Sequence, residues 1–241
     1  MSPSAGELGV PRLHLRRVDS TNVRARQLAA AGAPHGTLVT AREQTAGRGR
    51  QGRSWSAPPG SALLASLVVR EPPRLLSLAA GVAVAAVAER LDDSGRVAAV
   101  KWPNDVLLDG RKVAGILVEG RPQEQWAVLG IGLNVAVELD ALGAELGARA
   151  ATLGLASGER GRERALAELL YELRRVLELD PEQVLAELRG RDALDGRPVR
   201  WAHGAGTGAG IDADGRLRVR TPEGIVALDA GEVHLGDAGR D

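Results

Sequence analysis

Two stretches of this 241-residue chain gather side chains suited to chemistry on an anion. The first, TAGRGRQGRSW (residues 45–55), places three arginines and three glycines between Gly47 and Arg53. Arginine pairs bidentately with phosphate or carboxylate and keeps its charge. Glycine lets the backbone approach a ligand and change shape. Arg48, Arg50 and Arg53 are therefore expected to close over an anionic small molecule, as a clamp that orders on binding. The competing reading is a solvated basic loop that touches RNA. The second stretch is KWPNDVLLDGRKVAGILVEG (101–120). Asp109-Gly110 between two apolar runs is a two-residue hairpin signal. That turn sets Leu107 opposite Lys112 and Asp105 opposite Ala114, with Asp105, Leu107, Lys112 and Ala114 on one face. Asp105 and Lys112 are then diagonal neighbours within side-chain reach. The alternative is a surface ion pair of little energetic weight. Apolar residues crowd both strands, which favours a functional pair.

Two weaker signals accompany these. Ser20, Thr21 and Asn22 open a helix; plain N-capping explains them, and a helix start also offers N–H groups and hydroxyls to a polar ligand. In GIGLNV (130–135), two strand glycines mark a close backbone approach, by a neighbour or by a ligand. Asn134 is a polar residue in that apolar strand, and the local pattern leaves both readings open. GRGRQG formally fits the dinucleotide fingerprint G-x-G-x-x-G. That fingerprint needs a helix opening at the loop, and Pro58 and Pro59 block one. G-x-x-x-x-G-K-[ST] and G-x-S-x-G are absent. The four histidines show no metal-ligand spacing.

The elements that must position these residues follow from periodicity and punctuation. Strands are expected at 13–19, 36–43, 61–69, 96–102, on both sides of Asp109-Gly110, and at 125–138. Helices are expected from Asp19–Thr21 to Gly32, over 75–91, over 160–179, and from an Asp180 cap through PEQVLAELR. From about residue 191 the texture changes to short β runs with turn signals at Asp195-Gly196, Asp214-Gly215, Glu223-Gly224 and Ala230-Gly231. The reading is an α+β domain over 1–190 and a small β-barrel over 191–241.

Composition bounds the function. Lys+Arg and Asp+Glu both total 31, so the net charge is zero and any basic patch must be local. There is no cysteine, which excludes disulfides and thiolate metal sites. No apolar run reads as a signal peptide or a membrane span, so a cytoplasmic protein is expected, with no membrane partner.

In order along the chain, DSTN, EQTAGRGRQGRSW, KWPNDVLLDGRKVAGILVEG and GIGLNV resemble the biotin protein ligases. The C-terminal GRPVRW…GIDADGRLRVRTPEGIVALDAGEVHL resembles that family's small SH3-like barrel. The resemblance runs from about residue 13 to 236. It implies a class II synthetase-like catalytic domain with a mixed or antiparallel sheet. It implies that ATP and magnesium activate biotin to biotinyl-5′-AMP, and that biotin passes to a lysine of the biotin carboxyl carrier domain of an acyl-CoA carboxylase. It implies Lys112 and Arg48 as the catalytic pair. Biotin would be bound by Ser20, Thr21, Asn22, Gln44, Arg48, Gly49, Arg50, Trp55, Lys112 and Gly115. The nucleotide would fall to Arg50, Arg53, Asn104 and Asn134, and magnesium to Asp105. Members occur as monomers and homodimers. Many read GRGRRGR, so Gln51 removes one positive charge. Only about a dozen residues precede the first strand, which points to the ligase-only class and to no DNA partner. A lipoate–protein ligase and a non-catalytic biotin-sensing module are the alternatives.

Overall fold

The structure, a computed structural model, describes residues 7–229, 231 and 233–235. A seven-stranded mixed sheet runs in the order β1-β2-β3-β7-β6-β5-β4. Its strands are β1 (Arg12–Leu15), β2 (Leu38–Ala41), β3 (Ala62–Arg70), β4 (Ala98–Lys101), β5 (Asp105–Leu108), β6 (Arg111–Arg121) and β7 (Trp126–Asn134). β1 pairs with β2 in parallel, and every other pair is antiparallel.

Strand alternation sorts the sheet into two faces. Leu63, Ala65, Leu67 and Val69 of β3, with Ala127, Leu129, Ile131 and Leu133 of β7, belong to the main core. Helices α2 (Leu76–Leu91), α4 (Glu159–Leu177) and α5 (Pro181–Arg189) contribute to that same core. α2 buries residues nearly all round, as its almost uninterrupted apolar sequence requires. α4 buries one stripe, Ala165, Leu166, Leu169, Leu173 and Val176. Val68 and Val128 face the other way, against Ala25 and Ala29 of α1 (Thr21–Ala30). The opposite face carries α1, and beside it there is room for a site.

The local signals explain the element ends. Asp180 accepts from the Gln183 amide at 2.8 Å, Gln183 accepts from the Asp180 amide at 3.0 Å, and Pro181 starts α5. Gly32 follows α1 with φ +87°. Asp109 and Gly110 both take left-handed φ values, 48° and 75°, as a twisted two-residue hairpin needs. The hairpin register departs from the expectation beyond the second pair. Lys112 pairs with Leu107, but then Ala114 pairs with Val106 and Asp105 with Gly115, because Val113 is an extra residue. The bulge turns both Val113 and Ala114 into the core and leaves Asp105, Leu107, Lys112 and Gly115 on the open face. Ala114 is therefore not a neighbour of Asp105. A short helix, α3 (Ala144–Arg149), was not expected from the sequence.

The C-terminal strands β8 (Pro198–Trp201), β9 (Gly204–Ile211), β10 (Leu217–Thr221), β11 (Gly224–Leu228) and β12 (His234–Leu235) form an antiparallel sheet ordered β11-β10-β9-β8-β12. Asp214-Gly215 and Glu223-Gly224 fall at its hairpins. Asp195-Gly196 precedes β8, and Ala230 lies outside the described residues. This sheet docks on the large one. Trp102 Nε1 donates to the Gly215 carbonyl at 3.0 Å, and Val199, Leu217, Val219 and Val233 join the main core.

The turn from α2 to β4 is held by Asp92, which is buried and accepts from Ser94, the Arg96 amide and the Arg96 guanidinium. The Arg96 side chain foremost, helped by the Arg96 amide and Ser94 and opposed by burial, lowers the Asp92 carboxyl from 3.8 to about 2. A carboxyl depressed on folding stabilises above its unfolded value and loses that contribution as pH falls toward the folded one. About 2 kcal/mol is at stake. Asp92→Asn is expected to lower Tm at neutral pH and to flatten its fall between pH 4 and pH 2. Parallel Tm–pH curves for variant and parent would refute this.

Candidate active site

The arginine loop folds on itself. Gly49 N donates to the Arg53 carbonyl at 2.7 Å, and Trp55 N donates to the Gly47 carbonyl at 3.0 Å. A 3-10 turn over Arg50–Gly52 makes the tip, where Gln51 adopts φ 54° and Gly52 φ 75°. A non-glycine residue in that region carries backbone strain of about 1 kcal/mol. Arg50 Nη1 reaches Asn104 Oδ1 at 3.3 Å, and Asn104 Nδ2 donates to the Ile116 carbonyl at 2.8 Å. The loop thus leans on the hairpin. Burial, then the nearby charge of Arg53, lowers the pKa of the Arg50 guanidinium; Asp105 partly offsets this. A half-buried guanidinium beside a second one is an arrangement that an anion relieves.

Across the open face, Lys112 Nζ lies 2.6 Å from Asp105 Oδ1 and 5.7 Å from the centre of the Trp55 ring. The indole lies against backbone: a Cβ on Gly132 would stand 2.4 Å from it, and one on Gly115 3.1 Å. The Trp55 indole N–H is buried without a hydrogen-bond partner.

The third wall is the start of α1. Ser20 occupies the cap position, but its side chain makes no capping bond. Gln44 supplies the cap: its Oε1 accepts from the Thr21 amide at 2.7 Å and the Thr21 hydroxyl at 3.0 Å. Ser66 of β3, fully buried, lies 2.8 Å from Thr21 Oγ1 and 2.6 Å from Asn22 Oδ1. A Cβ on Gly130 would fall 2.0 Å from Asn22 Oδ1, so glycine is required for this helix to sit on the sheet.

These walls enclose a cavity of about 260 Å³. Ser20, Thr21, Asn22, Gln44, Arg48, Gly49, Arg50, Arg53, Trp55, Asn104, Asp105, Lys112 and Gly115 all line it. Asn134 does not; its amide donates to the Ala151 carbonyl at 2.9 Å in the buried segment behind. Sequence reasoning missed Ser66, which braces the α1 end from below, and Leu146 of α3, which lines the mouth. Nothing in Ser66's apolar strand context announced it beyond its being polar there. Gly130 and Gly132 were recognised as close approaches, and the approaching groups are Asn22 and Trp55.

Among the described residues no three His, Cys, Asp or Glu side chains gather as a metal site. A magnesium ion held mainly by phosphate and water needs only one or two carboxylates. Asp105, the one acid among the described residues that line the cavity, fits that requirement.

A mixed sheet with an arginine-covered polar cavity, followed by a small antiparallel sheet, defines an α+β architecture with a site suited to an anionic ligand. The chain belongs to the biotin/lipoate A/B protein ligase family, whose profile matches residues 14–135. The profile of the biotin protein ligase C-terminal domain matches residues 205–236. The chain is 38% identical to a biotin–[acetyl-CoA-carboxylase] ligase of Paracoccus denitrificans, over 92% of this chain and 99% of that one. It is 34% identical to the bifunctional ligase/repressor BirA of Bacillus spizizenii, over 91% of this chain and 72% of the relative. Among solved structures, the biotin protein ligase of Aquifex aeolicus in complex with biotin and ATP superposes with a TM-score of 0.79 at 27% identity. That likeness covers 93% of this chain and 99% of the other. No helix among the described residues is long and apolar enough to cross a membrane.

Proposed function

We infer that the chain is an ATP-dependent biotin–protein ligase. It joins biotin and ATP into biotinyl-5′-AMP and pyrophosphate; a lysine amine of a biotin carboxyl carrier domain then attacks the acyl carbon, forming the amide and releasing AMP. The observation that carries this reading is one cavity holding the Lys112–Asp105 pair, the Trp55 ring and the Ser20–Asn22/Gln44 polar cluster beneath the arginine loop. The polar cluster suits the ureido end of biotin, and Trp55 suits its apolar body. At the other end the biotin carboxylate attacks the α-phosphate, and negative charge builds on the phosphate oxygens. Lys112 is placed to neutralise that charge while Asp105 keeps its ammonium oriented. Cations preorganised where charge develops lower the barrier more than they stabilise the substrate. Bound magnesium would neutralise phosphate charge, with Asp105 as its protein carboxylate. Arg50 and Arg53 cover the mixed anhydride and exclude water from it. In this reading Asn104 acts through Arg50, whose guanidinium donates to its amide oxygen. We place the catalytic unit at 1–190 and the C-terminal module at 191–241, with an acyl-CoA carboxylase as the source of the carrier.

The test is mass spectrometry of a carrier domain incubated with the protein, ATP and either biotin or lipoate. A biotinyl gain that needs ATP is expected; a lipoyl gain alone would replace this reading with lipoate ligation, and no gain with either would leave a binding module. Gly132→Ala should push the indole into the cavity, because the new Cβ would stand 2.4 Å from it. We expect a KM for biotin raised at least about tenfold, a loss of about 1.4 kcal/mol of binding, with Tm little changed. An unchanged KM would remove Trp55 from the biotin site.

A further inference from the structure

Glu119 takes no part in the roles above, yet three donors converge on it. Past the Val113 bulge, Gly115, Leu117 and Glu119 alternate onto the β6 face that meets α1 and the cavity. Asn22 Nδ2 donates to Glu119 Oε2 at 2.9 Å, and Arg26 Nη1 donates to Oε1 at 3.3 Å. Arg48 Nη1 stands 3.4 Å from the same Oε1. The Glu119 side chain is 18% exposed, against 47% for Arg48, so the acid is the fixed partner and the loop arginine the movable one. Asn22, in turn, rests on Ser66 of the sheet.

We propose that Glu119 is a positioning residue that latches the arginine loop over the cavity before any ligand arrives. It offers Arg48 an internal carboxylate, and Asn22 and Arg26 hold that carboxylate in place. Arg50 against Asn104 secures the loop on the hairpin side, and Arg48 against Glu119 secures it on the α1 side. A partly exposed ion pair is worth a few-fold in an equilibrium constant, not orders of magnitude. The latch therefore biases the loop toward the closed form and still lets it open for substrate. Pre-closing spares the ligand part of the ordering cost, which appears in apparent affinity. The catalytic consequence rests on the biotin-ligase reading; the latch itself does not.

The loop's own arginines report its opening, because trypsin cleaves after arginine in mobile chain. The full-length protein without ligands is digested briefly, and cleavage after Arg50 and Arg53 is timed by mass spectrometry. The comparison covers the parent, Glu119→Gln, Arg48→Gln and the double variant. Each single change is expected to raise cleavage about three- to five-fold, and the double change no further than either. In turnover, Glu119→Gln should raise the KM for biotin by a similar factor with kcat within about two-fold. Unchanged cleavage in either single variant overturns the latch. Multiplying effects, or cleavage spread over the whole chain, also overturn it, since Glu119 would then act through α1 alone. Should Glu119→Gln fail to fold, Arg48→Gln decides by itself. The expected cleavage pattern with no biotin turnover in the parent would keep the latch and discard the ligase reading.

Discussion

Lys112→Ala is expected to lower biotin-dependent exchange of pyrophosphate into ATP by about a hundred- to a thousand-fold, the scale of losing one preorganised donor at a reacting centre. The ammonium is the cationic group on the hairpin face of the cavity, 2.6 Å from Asp105 and close to the indole. Without it, charge building on the α-phosphate loses its ammonium partner on the hairpin side, and Asp105 loses the cation that faces it. Because that charge develops during the reaction, the loss in kcat should exceed the loss in biotin binding. The fold should survive, since Lys112 is 39% exposed at its side chain. Exchange within tenfold of the parent would remove Lys112 from the chemistry.

Arg50→Gly is expected to let the activated intermediate escape. Its signature is ATP- and biotin-dependent labelling of unrelated lysines on bystander proteins, at least about tenfold above the parent. We assign this covering role to Arg50 rather than to Arg48. Arg50 is the guanidinium whose charge burial disfavours, and it bridges to Asn104 on the hairpin. Arg48 turns instead to Glu119. Removing Arg50 takes away both the tether and a cation from the mixed anhydride, so water and free amines gain access. If carrier labelling persists while bystander labelling stays at the parent's level, the covering role is wrong.

Most of the scaffold was legible from local chemistry. The Asp180-Pro181 start of α5, the Gly32 stop of α1 and the Asp109-Gly110 turn all appear where their residues demand them. The Asp105–Lys112 pair followed from the same turn, although the Val113 bulge changed which residues oppose each other. A bulge has no reliable signature in a run such as RKVAGIL, where every residue is compatible with either register. α3 was invisible because its six residues carry too few turns to show a periodic stripe. The lining was legible where residue type was unusual for its setting: arginines in a loop, an Asp–Lys pair among valines and leucines, glycines in a strand. It was not legible where the residue acts from beneath or beside the site. The sequence around Ser66 and Glu119 does not show what they bond to, and only the juxtaposition of β3, β6 and α1 gives them their partners. Asn134 shows the converse, since its polar character in an apolar strand is satisfied by the Ala151 carbonyl.

The account turns on a single cavity whose hairpin cation and arginine loop act together on an activated biotin. The most direct measurement is a crystal structure of the protein with biotinyl-5′-AMP bound. It should show the ureido ring at Thr21 and Gln44, the bicyclic body against Trp55, Lys112 Nζ at the acyl–phosphate junction, and Arg50 over the phosphate. Density for the ligand elsewhere, or bound there with Lys112 turned away and residues 47–53 open, would contradict it.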